Sequence, residues 1–242
     1  MNRMMLLLAA MLPFFLSCEP VNDDPEPEDD TLTATVSGHT LTCKTSTFTH
    51  TYTLDEGEDI TTLTFTHFPA SVEEFTALRS KLLGSSRPGT VALCLISFEM
   101  YRRDCSAGEQ CVQLINTSAN ATITLPRLKE KFPSQRGQQG DSYTQPYLVA
   151  SYLKGATQSN KYTPSEPYVL TMKWNDNSNV VQGEYSSSYS GRVYHYYALW
   201  NGDGKRDATV LVPDNGGDVI VHGCGNLVMG VPTIEGWNDS LK

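Results

Sequence analysis

Few residues in this 242-residue sequence have the types and spacings that catalysis requires. His222 and Cys224 are two residues apart on a predicted strand and would share one face, and a Cys–His pair can generate a reactive thiolate. At that spacing, however, the two side chains run parallel to each other instead of converging, and the glycines around Cys224 favour a bend. We therefore interpret Cys224 as a packed or disulfide-bonded cysteine, and the sequence predicts no catalytic residue.

Metal and cofactor motifs are also lacking in the sequence. The run from Asn201 to Asp207 is similar to part of a calcium-binding loop, but an EF-hand needs an acid at its first position and a glutamate at its twelfth. Leu199 and Val210 stand there instead, so a tight hairpin turn is the better interpretation. The other histidines lack metal-binding spacing, and no nucleophile elbow, Walker loop or dinucleotide fingerprint is present. The sequence therefore predicts neither a metal nor a cofactor.

Aromatic residues are concentrated in the second half of the chain. On the predicted strand that contains them, Tyr194 and Tyr196 share one face, and His195 and Tyr197 share the other. Half-buried packing within a sheet would explain this pattern. The alternative is a binding surface for a protein or a sugar, because aromatic rings combine a large contact area with a polar group. We predict that one of the two pairs forms this surface, and the pattern leaves open which pair does.

Five cysteines follow residue 30, namely Cys43, Cys94, Cys105, Cys111 and Cys224. Five cannot all pair within one chain, and Cys94, inside a very apolar predicted helix, is the best candidate for a free thiol. A turn between Cys105 and Cys111 could bring their Cα atoms within the roughly 4.4–6.8 Å that a disulfide requires. The sequence is thus compatible with a Cys105–Cys111 disulfide and, separately, with a Cys43–Cys224 disulfide.

The N-terminus has the features of a secretory signal. An apolar run over residues 4–16 follows Arg3, and it is shorter than the roughly 20 residues that span a bilayer. A basic start, a short apolar core and a small residue before the cleavage point are typical of a signal peptide. The stretch 15–18 resembles a bacterial lipobox. We therefore expect residues 1–17 to be removed and Cys18 to carry the lipid, with an ordinary secreted chain as the alternative.

Residues 18–30 are expected to form an acidic tether. They hold seven acidic residues, three prolines and no basic residue, so they cannot bury a core and their like charges keep them extended. The segment resembles the acidic signal that sends many Bacteroidetes-type lipoproteins to the outer face of the outer membrane, and a plain spacer is the alternative. Without these acids and Arg3, 17 basic and 20 acidic residues remain. A nearly neutral domain without a basic cluster is not expected to bind nucleic acid.

The periodicity of the remaining chain predicts an α+β fold. Residues 31–68 alternate threonines with apolar residues, as antiparallel strands with one polar face do. Helical spacing begins at a capping box from Ser71 to Glu74, and strand patterns separated by turn sequences return over residues 146–230. We predict an antiparallel sheet with a cluster of three to four helices between an N-terminal β segment and a C-terminal β-rich half.

The expected organisation has four parts: the signal peptide 1–17, the tether 18–30, an N-terminal β segment 31–68 and an α+β domain 69–242. Within it, the patterns predict a nearly all-apolar second helix after Pro88, a fourth helix beginning at Pro126, and strands that include 147–153 and 227–231.

Two stretches of the sequence resemble an uncharacterised family of Bacteroidetes lipoproteins, a domain of unknown function. They are Gly-Ala-Thr at 155–157 and Asn-Lys-Tyr-Thr-Pro-Ser-Glu-Pro-Tyr at 160–168. The similarity covers roughly residues 69–232 and includes Arg206 after a Gly/Asp-rich turn. Where that family tends to carry Trp and Tyr, this chain has the sequence Val-Ile-Val-His-Gly-Cys at 219–224. The resemblance implies a fold unit and a taxon, but no reaction.

Together these features favour a non-enzymatic binding or accessory protein. We expect it to be attached to the outer membrane by the lipid on Cys18, exposed at the cell surface, and to bind an unknown protein or glycan. A periplasmic location and a hydrolase acting on extracellular glycan or peptide are the alternatives. A pocket with two inward carboxylates of perturbed pKa would favour the hydrolase.

Overall fold

The computed structural model describes residues 30–132, 144–176, 179–186, 189–200, 204–229 and 231–242, and the side chains of residues 184–186 and 189 are not described. The signal, most of the tether and the predicted lipidation site Cys18 therefore lie outside the described residues. Within the described ranges, no helix combines the length and the apolar character needed to cross a bilayer.

The N-terminal strands form where the threonine alternation predicts them. On β3, for example, His50, Tyr52 and Leu54 are buried, whereas the threonines between them are only half-buried. Alternation of this kind directs one face of each strand to the core and the other to solvent. The four strands are β1 (Thr33–Ser37), β2 (Thr40–Lys44), β3 (Thr49–Glu56) and β4 (Ile60–Phe65).

The helices follow, as predicted. Ser71 caps the first of them by accepting a hydrogen bond from the Glu74 amide at 3.2 Å, which confirms the first half of the capping box. The Glu74 carboxylate reaches back one residue further than expected, to the amide of Ala70 at 2.7 Å. The helices are α1 (Val72–Leu78), which continues into a π-helical turn (Arg79–Leu83), α2 (Arg87–Arg103), α3 (Cys105–Ile115) and α4 (Ser118–Lys131).

The second half of the chain completes the same sheet. The order of its strands is β1-β2-β3-β4-β5-β7-β8-β9, with β6 paired to β7, and the pairing is antiparallel throughout. The N-terminal strands join the later ones where β4 pairs with β5. The α+β prediction is therefore confirmed. The later strands are β5 (Tyr168–Trp174), β6 (Val181–Ser186), β7 (Tyr189–Trp200), β8 (Gly204–Pro213) and β9 (Ile220–Gly223).

Helix α2 lies at the centre of the molecule. Its residues 88–101 are all buried, and it packs against β4, β5, β7, β8 and β9. One buried charge lies on it: Glu99 is fully buried and accepts hydrogen bonds from Arg102 at 2.6 Å and from Arg103 at 2.8 Å. Because buried charges need a partner, these two arginines explain how a carboxylate is accommodated on the most apolar helix.

Several predicted elements are wrong in extent or type. Helix α4 begins at Ser118, not at Pro126, because Thr117 caps it by accepting from the Asn120 amide at 3.2 Å. The predicted strand over 147–153 is a series of turns ending in a 3₁₀ helix (Ala150–Tyr152), and a 3₁₀ helix (Gly225–Val228) lies where the strand over 227–231 was expected to begin. Both segments contain short apolar runs, and the run over 147–153 is buried along its length, as central strands are. Periodicity alone cannot distinguish such a run from a buried turn of helix.

Candidate functional site

A cleft of about 580 Å³ opens where α2 begins, and we call it the α2 cleft. The β1–β2 turn, the β3–β4 turn, the start of α2 and the paired strands β5 and β7 form its walls. The residues that line it include His39, Glu56, Glu58, Asp59, Lys81, Ser86, Arg87, Trp174 and Tyr196.

Backbone hydrogen bonds hold the two turns of the cleft in place. The β3–β4 turn is closed by the Gly57 amide, which donates to the Ile60 carbonyl at 2.9 Å. The amide of Trp174 donates to the Asp59 carbonyl at 3.0 Å and so fixes this turn beside β5. The β1–β2 turn is held to β3, because the Leu54 amide donates to the His39 carbonyl at 3.0 Å. Main-chain hydrogen bonds therefore position the acidic β3–β4 turn, and these bonds do not use its carboxylates.

Ser86 connects the acidic turn to the helix. Its hydroxyl accepts from the Gly89 amide at 3.0 Å, which caps α2, and it donates to the Glu56 carboxylate at 2.5 Å. A hydroxyl has one proton to donate and lone pairs to accept, so both bonds form at once. The Glu56 carboxylate thus lies at the N-terminus of a 17-residue helix, where the helix dipole stabilises a negative charge.

Arg87 forms the opposite wall, together with two aromatic rings. Its guanidinium carbon lies 5.0 Å from the ring centroid of Trp174 and 4.4 Å from that of Tyr194. Trp174 in turn meets Tyr196, its cross-strand partner, edge to face at 5.4 Å. A cation in the first turn of a helix is disfavoured by the helix dipole. The rings offset this cost, since cations are attracted to aromatic faces, and they hold the guanidinium at the cleft.

The cleft therefore presents hydrogen-bond acceptors and donors side by side. Glu56, Glu58 and Asp59 are exposed acceptors. Burial raises the pKa of Tyr196 to about 12, so its hydroxyl remains protonated and can donate at neutral pH. Lys81 also lines the cleft, although its ammonium group already donates to the Ala34 carbonyl at 2.7 Å. An arrangement with both signs of charge and an aromatic wall suits a ligand whose groups both donate and accept, as hydroxyl groups do.

The four residues predicted as a binding surface separate into the two pairs expected from the alternation. Tyr196 is buried and Tyr194 half-buried on the sheet face that α2 covers, where Tyr196 lines the cleft and Tyr194 holds Arg87. His195 and Tyr197 are half-buried on the opposite face, and the ammonium group of Lys205 lies 5.1 Å from the ring centroid of Tyr197. Of these pairs, only the first lies at the cleft.

Sequence patterns do not identify most of the other residues of the cleft. Glu56, Ser86 and Arg87 come from segments that are 30 residues apart along the chain. The one local signal is Ser86 two residues before Pro88, a typical helix start. The sequence did not predict that this helix start lies against the acidic β3–β4 turn. That contact depends on the order of the strands in the sheet, which no local pattern shows.

The strand that was expected to carry both His222 and Cys224 ends between them, at Gly223. Cys224 follows β9 and begins the 3₁₀ helix, so the alternation of a strand no longer applies to it. Its thiol is fully buried, and its hydrogen-bonding partners include Thr124 and Asn120. Burial and the neighbouring His195 lower the pKa of His222, which favours its neutral form. Within the described part of the chain, no group of three or more metal-binding side chains comes together.

The two cysteines considered for a disulfide, Cys105 and Cys111, lie on the same helix. Cys105 begins α3 and Cys111 follows six residues later, which corresponds to about 9 Å along a helix axis. A disulfide needs Cα atoms closer than about 7 Å, and both residues are free thiols in the structure. Cys43, also free, is buried beside Glu74, whose charge adds to burial in raising the pKa of Cys43 to about 11.

A family described as "Domain of unknown function (DUF6935)" matches residues 67–225, which is more than half of the chain. The chain belongs to this family. The expected resemblance to a domain of unknown function is confirmed over nearly the predicted range. No curated protein and no solved structure matches the chain.

Only some of the residues that line the α2 cleft lie within the range 67–225 that the family matches. Ser86, Arg87, Trp174 and Tyr196 lie within it, whereas the two turns that supply His39, Glu56 and Asp59 precede it. The α2 cleft is thus formed jointly by the DUF6935 domain and by the N-terminal strands that extend its sheet.

Proposed function

We propose that this protein is a lipid-anchored binding or accessory protein at the cell surface, and that the α2 cleft binds a hydroxyl-rich ligand, a glycan being the best fit. We further propose that it is a Bacteroidetes lipoprotein, on the basis of the signal, the lipobox and the acidic tether. The observation that carries the binding proposal is the composition of the cleft, in which carboxylates face a guanidinium stacked on aromatic rings.

The chemistry of this cleft selects among ligand classes. A strongly anionic ligand would meet three carboxylates, and the Glu56 carboxylate already occupies the N-terminus of α2. A purely apolar ligand would leave these charges desolvated and unpaired, which is costly. A glycan satisfies both halves of the cleft, because each hydroxyl can donate to a carboxylate and accept from Arg87 or Tyr196.

A hydrolase remains the second candidate, because the cleft contains more than one carboxylate. Glycoside hydrolysis uses two such groups, one of which acts as the acid. Both functions predict glycan binding at the cleft, and product formation separates them. Incubation of each bound glycan with the protein, followed by mass spectrometry, should return the glycan intact if the protein only binds it. Shortened products that disappear in a Glu56→Gln variant would favour the hydrolase.

The binding proposal is tested with the full chain carrying Cys18→Ala, applied to an array of oligosaccharides and then titrated with those that bind. A double variant, Glu56→Gln with Asp59→Asn, should raise the Kd at least about tenfold, because hydrogen bonds to charged groups contribute about 1.5–3 kcal/mol each. Glu130→Gln, an exposed position on α4, is the control and should leave Kd unchanged. Binding that is equal in all three proteins, or no binding to the array, would contradict the proposal.

The attachment proposal has its own test. Cys18→Ala should move the protein from the membrane fraction to the soluble fraction. The variant lacks the site for the acyl chains, which would contribute about 0.8 kcal/mol of anchoring free energy for each CH₂ buried in the membrane. Fractionation followed by immunoblotting measures this. A Cys18→Ala protein that still sediments with membranes after a high-salt wash would show that the anchor is not the lipid at this cysteine.

A further inference from the structure

Two carboxylates of the acidic β3–β4 turn differ from the third in their surroundings. Glu56 accepts a hydrogen bond from Ser86 at the N-terminus of α2. Glu58 and Asp59 also line the α2 cleft and are exposed, but neither side chain forms an ion pair or a hydrogen bond with the residues that the structure describes. Opposite charges attract more strongly in a cleft than in bulk water. A positively charged group on the ligand would therefore find two acceptors here.

The lysine and the arginine that line the cleft are held away from these two carboxylates. The ammonium group of Lys81 donates to the carbonyl of Ala34 at 2.7 Å. The guanidinium carbon of Arg87 lies 5.0 Å from the ring centroid of Trp174 and 4.4 Å from that of Tyr194. Within the described ranges, neither base forms an ion pair with the acidic turn. The charge that this wall of the cleft lacks is thus a positive one.

The hydroxyl of Tyr196 points independently to a ligand. Tyr196 is only 4% exposed, yet it lines the cleft, and no group in the described part of the chain forms a hydrogen bond with its hydroxyl. Buried polar side chains usually have a hydrogen-bonding partner. An oxygen atom of a ligand in the cleft would supply this partner, because a phenol can donate as well as accept.

We propose that the glycan bound in the α2 cleft carries a free amino group, as an amino sugar without N-acetylation does; the inference rests on the glycan binding proposed above. The ammonium group of the sugar is bound by the carboxylates of Glu58 and Asp59. A ring hydroxyl accepts from Tyr196, and the ring itself lies beside Trp174. The ligand thus provides the missing charge and the missing hydrogen-bonding partner at once.

The closeness of the acidic turn to the aromatic wall favours an amino sugar over a lysine side chain. The amide of Trp174 donates to the carbonyl of Asp59 at 3.0 Å, so the two residues are in direct contact. In an amino sugar the nitrogen is bonded to the ring, and one sugar residue reaches both. The ammonium group of lysine lies at the end of a flexible four-carbon stem, which loses rotamer freedom when it is ordered.

Three tetrasaccharides with the same β-1,4 linkage, built from glucosamine, N-acetylglucosamine or glucose, test the inference. They differ only at carbon 2, and each is titrated against the full chain carrying Cys18→Ala. We expect the glucosamine tetramer to have a Kd about five- to tenfold lower than the glucose tetramer, because charge-assisted hydrogen bonds are about twice as strong as neutral ones. The N-acetylated tetramer lacks the charge and should not show this gain.

A pair of variants locates the charge recognition. Glu58→Gln with Asp59→Asn should bring the ratio of the glucose and glucosamine Kd values to about one. Asp55→Asn with Glu130→Gln removes the same number of charges and is the control. Asp55 lies at the end of β3 but outside the lining of the α2 cleft, and Glu130 is exposed on α4. The control should keep the preference for glucosamine.

The outcomes separate this inference from the function on which it rests. A glucose tetramer that binds as tightly as the glucosamine tetramer, with both weakened by Glu56→Gln/Asp59→Asn, would overturn the amino-sugar inference and leave glycan binding in place. Equal affinity of the glucosamine tetramer for the wild type and for Glu58→Gln/Asp59→Asn would also overturn it, because the charge would then be bound elsewhere, as on the acidic tether. Tetralysine that binds in the cleft more tightly than the glucosamine tetramer would overturn it in favour of a peptide. A chain that binds none of the tetrasaccharides and no other glycan of the array would overturn both proposals.

Discussion

Replacing Gly108 with alanine is expected to remove a large part of the stability of the fold. Gly108 lies on α3 against the end of α2, and a Cβ atom there would lie 2.0 Å from the Cα and 2.1 Å from the amide nitrogen of Tyr101. Both of these atoms are backbone, so rotation of a side chain cannot relieve the overlap. The two helices would have to separate, and the buried α2 would lose its packing.

The expected cost is about 3–5 kcal/mol, at the upper end for a point substitution. It exceeds the roughly 1 kcal/mol that alanine gains over glycine within a helix, and it is a large part of the 5–15 kcal/mol that typically stabilises a domain. Urea unfolding followed by circular dichroism measures it. Gly217→Ala is the matched control, because a Cβ there would meet only the flexible Asn215 side chain, at 3.3 Å. Equal unfolding midpoints for the two variants would show that the helices are not in contact at Gly108.

Replacing Glu74 with alanine should destabilise the protein by a similar amount. Its carboxylate is fully buried and accepts hydrogen bonds from the Ala70 amide at 2.7 Å, the Tyr52 hydroxyl at 2.8 Å and, with the proton on Nδ1, from His50 at 2.9 Å. Burial, with a contribution from the Glu74 charge, raises the pKa of Tyr52 well above its usual value, so its hydroxyl remains a donor. Removing the carboxylate leaves buried donors without their acceptor.

Breaking a buried charged network by removing one partner costs about 3–5 kcal/mol. Glu74→Gln keeps the shape of the side chain and one acceptor oxygen, so we expect its loss to be smaller than that of Glu74→Ala. Glu73→Ala provides the control, since Glu73 is the adjacent residue in the same helical turn and is exposed; its effect should stay within about 0.5 kcal/mol. A Glu74→Ala variant as stable as Glu73→Ala would mean that the network contributes nothing.

The surroundings of Glu74 and Gly108 show which structural features could be predicted from the sequence and which could not. The spacing from Ser71 to Glu74 predicts the start of α1 correctly, because a capping box involves only neighbouring residues. It does not predict that Glu74 is buried against β3, since Tyr52 and His50 lie more than 20 residues earlier. Likewise, the apolar pattern of α2 predicts that this helix is buried. The glycine on α3 does not predict that its position packs against the backbone of α2 at Tyr101.

The candidate site shows the same limit more strongly. The strands 31–68 and the two faces around Tyr194 follow from period-2 alternation, which is a local property. The α2 cleft depends on β4 pairing with β5, which places the turn after Glu56 beside Trp174. Because no short-range pattern encodes the order of strands in a sheet, the carboxylates and Arg87 could not be assigned to one site from the sequence.

The most direct test of the α2 cleft as the binding site is a crystal structure of the chain with an oligosaccharide identified on the array. We predict that the sugar lies in the cleft, with hydroxyl groups within hydrogen-bonding distance of Glu56 and Arg87 and a ring beside Trp174. An oligosaccharide bound instead on the opposite face of the sheet, against His195 and Tyr197, would contradict this account.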